Sequence, residues 1–237
     1  MSVPLSADGV SVRFGGNIAL DHVSVDAHAG KVTGLIGPNG AGKTTLFNVI
    51  TGLQPPTAGT VRLDGHDVTR MKTHRRARLG LARTFQRLEL FGVLTAHDNV
   101  RLAAVLAGHA DPGGRADELL ARVGLEDVAD VRADQLPTGR ARLVELARAC
   151  ASDPKVLLLD EPASGLSEEE TGAFGELLRE LAGEGIAVVL VEHDVPLVMA
   201  VCDRIHVLDT GRVLASGTAD EIREDARVHA AYLGGVA

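Results

Sequence analysis

Only two cysteines occur in the 237 residues, Cys150 and Cys202. No metal or redox spacing connects them, so both are expected to be reduced, buried or half-buried, and without a cofactor. Long apolar runs are missing too. No stretch approaches the roughly twenty uninterrupted apolar residues of a membrane span. The opening MSVPLSADG lacks a charged start followed by an apolar run, so the chain is expected to stay in the cytosol. Positive charge is not in excess: the net charge of −8 disfavours nucleic acid as the main partner. A local basic cluster, His74, Arg75, Arg76, Arg78, Arg83 and Arg87, is expected to be a solvated helix face. There is no internal repeat and no low-complexity tract. What is present, 45% hydrophobic residues, suffices for one sizeable globular core with a subdomain.

Against that background four segments carry the chemistry. Gly37 to Thr44, GPNGAGKT, fits the phosphate-binding loop pattern and sits between the apolar strand Val32 to Ile36 and a helix. Gly37, Gly40 and Gly42 let the loop backbone, which passes through Pro38, Asn39 and Ala41, wrap phosphates with its available N–H groups, those of residues other than Pro38, ahead of a helix N-terminus. Lys43 is expected to reach the β and γ phosphates, Thr44 to ligate magnesium, and Thr45 to bond a phosphate oxygen. A plain glycine-rich turn would not need a Lys-Thr pair at this offset.

The apolar run Val156 to Leu159 ends in Asp160 and Glu161, as expected of a central parallel strand whose C-terminal end faces a ligand. Asp160 would hold the magnesium shell, and Glu161 would act on water as general base or orienting group. A second run, Ile186 to Val191, leads to His193, whose imidazole could contact a γ phosphate or position the water. The other eight histidines, His22, His28, His66, His74, His97, His109, His206 and His229, are expected on the surface or in loops.

Around these segments, Val10 to Phe14 and Ile18 to Val25 read as antiparallel strands about Gly15-Gly16, with Thr60 to Asp64 as another. Helices are expected from Thr44 to about Ile50, over Ala96 to Leu106 and over Ala116 to Val123, the last two separated by Asp111-Pro112-Gly113-Gly114. A helix over Ala141 to Ala151 follows. Strand-helix alternation then resumes through Glu168 to Ala182, Val195 to Cys202 and Arg204 to Leu208, with a hairpin at Thr210-Gly211. The fold class is therefore α/β: a P-loop NTPase core with a parallel sheet, an antiparallel β subdomain, and an inserted helical subdomain at about 88–134.

With these segments in place, the chain resembles the nucleotide-binding subunit of an ATP-binding cassette (ABC) transporter along nearly its whole length. The resemblance implies ATP and Mg2+ as ligands. It implies that Gln86, in Thr84 to Gln86, contacts magnesium and the attacking water and couples to a membrane subunit, and that Phe14 stacks on adenine. A finer similarity, to ATPases of branched-chain amino-acid uptake systems, runs through GLARTFQRLELF (Gly80 to Phe91), LTAHDNV (Leu94 to Val100), VEHDVPLVMAVCDRI (Val191 to Ile205) and AYLG (Ala231 to Gly234). It implies a position on the inner face of the cell membrane, with integral permease subunits, a second cassette ATPase and, indirectly, an extracytoplasmic solute-binding protein. A lipid or lipopolysaccharide exporter subunit and a soluble or regulatory cassette are the alternatives.

Two departures stand out. The family's signature, typically LSGGQ, aligns with Leu136, Pro137, Thr138, Gly139 and Arg140, and three of the five positions differ. Pro137 has neither hydroxyl nor N–H to offer a partner's γ phosphate, whereas Arg140 could add a fixed charge there. After the glutamate, Ser167 replaces the aspartate that usually links two sites. A heterodimer, in which this chain's loop faces the partner's signature, is the favoured assembly; a homodimer is the other. Leu88, Leu90, Phe91 and Leu94 read equally as core or as the edge of a groove for a membrane subunit.

Overall fold

The computed structural model describes residues 3–231. In chain order the strands and helices are β1 (Leu5–Phe14), β2 (Asn17–Ala27), β3 (Val32–Ile36), α1 (Lys43–Thr51), β4 (Ala58–Leu63), β5 (His66–Asp67), α2 (Thr73–Arg78) and β6 (Leu81–Arg83). The middle of the chain is helical: α3 (Ala96–Ala107), α4 (Pro112–Arg122) and α5 (Thr138–Cys150). Alternation then returns with β7 (Val156–Asp160), α6 (Glu168–Gly183), β8 (Ala187–Val191), α7 (Val195–Val201), β9 (Arg204–Asp209), β10 (Arg212–Gly217), α8 (Ala219–Glu224) and α9 (Ala226–Ala231).

Two sheets result. One is antiparallel in the order β2-β1-β4-β5; the other runs β10-β9-β3-β8-β7-β6, parallel except for the edge strand β10. Every residue of β3, β7 and β8 is buried, which is why these strands read as continuous apolar runs. The twofold period of a strand still sorts their side chains. Leu157, Leu159, Val188 and Leu190 join the core under α3 to α7. Val156, Leu158, Val189 and Val191 join the core shared with α1 and the antiparallel sheet. The central sheet is thus the middle of three layers, and the C-terminal ends of β3, β7 and β8 meet at one edge.

Several boundaries differ from the sequence reading, each for a local reason. β1 starts at Leu5, because Leu5 and Ala7 are buried in phase and a register shift beyond Asp8 absorbs the polar interruption. The Asp111 to Gly114 stretch is a start rather than a break: the Asp111 carboxylate accepts the Gly114 N–H at 3.0 Å and caps α4, whose first residue is Pro112. α5 begins at Thr138 rather than Ala141, with Pro137 as its N-cap. Ser167 caps α6 in a reciprocal pair with Glu170, so the position lacking the family's aspartate has a local task. The segment AYLG beyond Ala231 lies outside the described residues.

The basic cluster is not a uniformly solvated face. Arg76 is 1% exposed, and its guanidinium donates to the carbonyls of Val49 at 2.7 Å, Ile50 at 2.6 Å, Met71 at 2.9 Å and Thr69 at 3.0 Å. Two of those carbonyls close the last turn of α1, where the helix dipole favours a cation. Arg76→Leu is therefore expected to lower unfolding free energy by roughly 3 kcal/mol, because the carbonyls lose a charged donor and stay buried. The midpoint of urea unfolding measures this. His206 is a second correction: it lies within β9 at 3% exposure and hydrogen-bonds Ser216 Oγ, and burial holds its pKa below the ordinary imidazole value. Cys150 and Cys202 are buried, and desolvation pushes both thiols up to about 12.

Candidate functional site

The loop at 37–42 leaves β3 at the sheet edge and turns into α1. Its glycines are required by geometry rather than by flexibility. Gly37 has φ +146°, and a Cβ there would lie 2.0 Å from the Leu208 carbonyl oxygen. Gly42, at φ +107°, would drive a Cβ to 2.7 Å from Leu20 Cδ2 and 2.8 Å from the Ala19 oxygen. Gly42 also takes the N-cap position of α1 without a side-chain cap, so the first-turn N–H groups of Lys43, Thr44 and Thr45 remain free to bind an anion. The Lys43 ammonium donates to the carbonyls of Gly37 at 2.6 Å and Pro38 at 3.0 Å. Burial lowers its pKa, while the negative charges of Glu161 and Asp160 oppose that shift.

A cleft of about 340 Å³ opens over this loop, lined by Asn39 to Thr45, by Gln86, Glu161 and His193, and by Asn17 to Ala19 and Thr210-Gly211. Strand register explains why distant residues meet. Asp160 of β7 pairs with Val191 of β8, so Glu161 and His193 leave adjacent strands at the same level, and the Glu161 N–H bonds the Val191 carbonyl at 2.9 Å. Glu161 sits at φ +51°, a conformation that costs a side-chain-bearing residue on the order of 1–2 kcal/mol. Its Oε2 accepts from Gln86 Nε2 at 3.0 Å, and its Oε1 faces His193 Nε2 at 3.0 Å. A carboxylate has about four acceptor positions, so two remain on Glu161 for a water.

The sequence reading missed several participants. Glu192 is 5% exposed; it accepts the Ala163 N–H at 2.7 Å and the His193 N–H at 3.0 Å, and so ties the segment after Glu161 to the histidine. Burial pushes its carboxyl above the usual range. Its position between a strand end and His193 was the available signal. The residues Asn17 to Ala19, Thr210 and Gly211 carried none, because tertiary contacts place them at the loop: Gly211 N–H bonds the Ala41 carbonyl at 3.0 Å, and Ala19 lies against Gly42.

Other expected site residues lie apart from the cleft lining. Phe14 is 51% exposed at the end of β1, beside the residues that do line the cleft. Asp160 is buried and ion-paired to Arg83 at 2.9 Å, so Arg83 too departs from the solvated reading. Of the signature residues, Leu136 packs against the core, Gly139 is buried against Leu166, and Pro137 and Thr138 are exposed at the start of α5. Arg140 pairs with Asp127 at 2.7 Å instead of standing as a free charge.

The oxygen donors available near the cleft, the Thr44 hydroxyl, the Asp160 carboxylate and the Gln86 amide, suit a hard divalent cation such as Mg2+. The described residues contain no cluster of three His, Cys, Asp or Glu side chains suited to a metal. Together with the free N–H groups of α1, the donor set fits a magnesium nucleotide.

Beside α5 lies a separate groove of about 390 Å³, with Leu53, Phe85, Phe91, Leu102 and Leu106 among its walls. The open question about residues 88–94 divides here. Phe91 lines the groove and Leu88 is exposed, whereas Leu90 packs against the core and Leu94 is half-buried. The buried Asn99 holds Phe91 in place by bonding both its N–H and its carbonyl, at 2.9 and 3.1 Å.

The chain also matches known families and proteins. The ABC transporter family matches residues 20–164, and a branched-chain amino acid ATP-binding cassette transporter family matches residues 212–237. The high-affinity branched-chain amino acid transport ATP-binding protein LivG of Salmonella typhimurium is 39% identical over 99% of both chains. The lipopolysaccharide export system ATP-binding protein LptB of Escherichia coli is 35% identical over 97% of both. Among solved structures, MJ1267, an ATP-binding cassette of an ABC transporter, superposes with a TM-score of 0.90 at 27% identity, covering 98% of this chain and 99% of its own.

Proposed function

This chain belongs to the ABC transporter family, and on that premise we propose that it is the ATP-hydrolysing subunit of an importer of branched-chain amino acids or similar small polar solutes. The observation that carries the mechanism is the convergence of Gln86 and His193 on the two oxygens of Glu161 beside the phosphate loop. In this reading Gly37 to Thr45 bind the triphosphate, and Phe14 stacks beside the adenine. Thr44, Asp160 and Gln86 hold Mg2+, which when bound neutralises charge developing on the phosphates. Glu161 accepts the proton of the attacking water, while Gln86 and His193 fix the carboxylate's orientation.

Supporting the transporter reading is the groove at Phe85 and Phe91, whose exposed apolar walls suit a short helix of a permease subunit. Helix α3, within the insertion at about 88–134, carries one side of it. No helix among the described residues is long and apolar enough to cross a membrane; a peripheral place on the inner face is proposed from the likeness to transport ATP-binding proteins. The exposed Pro137 and Thr138 at the start of α5 stand where a second cassette would meet this one, and the altered signature favours a different chain as partner.

Capture of the tagged chain from detergent-solubilised cells tests the assignment. Two integral membrane proteins, a second cassette ATPase and leucine-stimulated ATP hydrolysis after reconstitution with the solute-binding protein are expected. Recovery of soluble proteins alone would sink the transporter role. Stimulation by lipopolysaccharide instead of leucine would favour the exporter alternative.

A further inference from the structure

Arg83 joins three parts of the molecule that are distant in sequence. Its side chain is 7% exposed. Nη2 donates to Asp160 Oδ2 at 2.9 Å, and Nη1 donates to Asn48 Oδ1 at 2.7 Å. The guanidinium lies between two rings, 5.4 Å from the Phe47 centroid and 4.9 Å from that of Phe85. Its Nε is buried without a partner. An arginine so placed is expensive, since burial lowers its pKa and one N–H is unsatisfied. A plain core would be built with apolar residues.

Its connections explain the choice. Asn48 belongs to α1, the helix that carries Lys43 and Thr44, whereas Asp160 ends β7. One planar fork therefore fixes the spacing between the helix bearing the hydroxyl donor and the strand bearing the carboxylate donor. With Oδ2 engaged by Arg83, a bound cation would be met by Oδ1. On its outer side Arg83 borders the apolar groove together with Phe85, which precedes Gln86.

We propose that Arg83 is a positioning residue that holds Asp160 in register with α1 for metal binding and, through the Phe85 ring, transmits what occupies the groove to that carboxylate. The inference rests on the nucleotide-site reading above. Lysine cannot substitute, because a point charge can satisfy Asp160 or Asn48 but has no rigid fork to span both or to stack between rings.

The test uses the full chain with ADP and Mn2+, free Mn2+ being read by electron paramagnetic resonance and metal-free ADP affinity by calorimetry. In Arg83→Lys the ADP-bound chain should hold Mn2+ roughly five- to tenfold more weakly, while metal-free ADP binding stays within about twofold of the parent. Phe85→Leu, at a partly exposed site, should shift Mn2+ binding in the same direction by a smaller factor. A purely structural Arg83 would lower the unfolding midpoint and leave Mn2+ retention unchanged in both variants, which overturns the proposal. A shift in Arg83→Lys with none in Phe85→Leu overturns the link to the groove. If the parent itself retains no Mn2+ with ADP, the nucleotide-site reading fails instead.

Discussion

Glu161→Gln should bind magnesium ATP about as tightly as the parent and hydrolyse it on the order of 10²- to 10⁴-fold more slowly, the range expected for loss of a general base. The substitution keeps the side chain's size, and its amide oxygen can still accept from Gln86 Nε2, so the cleft should retain its shape. What disappears is the carboxylate on which Gln86 and His193 converge at 3.0 Å each. The amide nitrogen then faces His193 Nε2, which must present its lone pair rather than its proton. Phosphate release and ATP binding, measured on the same preparation, separate the two effects. A variant that hydrolyses at the parental rate would show that Glu161 is not the base.

Lys43→Ala should give the complementary result. The ammonium lies at the loop on the Gly37 and Pro38 carbonyls, already desolvated and drawn by Glu161 and Asp160. Its removal takes one charged donor from the phosphates, worth about 1.5–3 kcal/mol, so ATP affinity should fall roughly 10- to 100-fold. Calorimetric titration with ATP measures the loss. Equal loss of binding and turnover in Lys43→Ala and Glu161→Gln would contradict the separate roles assigned to them.

The elements that were legible beforehand share one property: each is written in contiguous residues. The phosphate loop and the strand runs ending at Asp160 and Val191 act over a few positions, where backbone sterics and burial period dominate. Even so, the S-x-x-E pattern at Ser167 was passed over in favour of the aspartate it replaces. β6, three residues long, escaped because so short a strand has no period to read; only its pairing with β7 makes it a strand.

The basic cluster shows the other side. Arg75 and Arg78 are exposed, Arg76 is enclosed by carbonyls of α1 and the segment before α2, and Arg83 is locked to Asp160, yet the sequence presents all four as equivalent charges. His206 was likewise indistinguishable from His22 or His66 until β9 was placed between two buried layers.

By itself, then, the sequence determined the loop that can cradle phosphates, the acidic and histidine strand ends, the α/β class and the family. Sheet order and register decided which side chains meet: that Gln86 and His193 share Glu161, that Glu192 ties two loops, that Arg83 spans α1 and β7, and that Phe91 faces a groove while Leu90 faces the core. The physical reason is range. Propensities, caps and burial periods act between near neighbours in the chain, whereas a guanidinium finds a carboxylate 77 residues away only after the strands have taken their places.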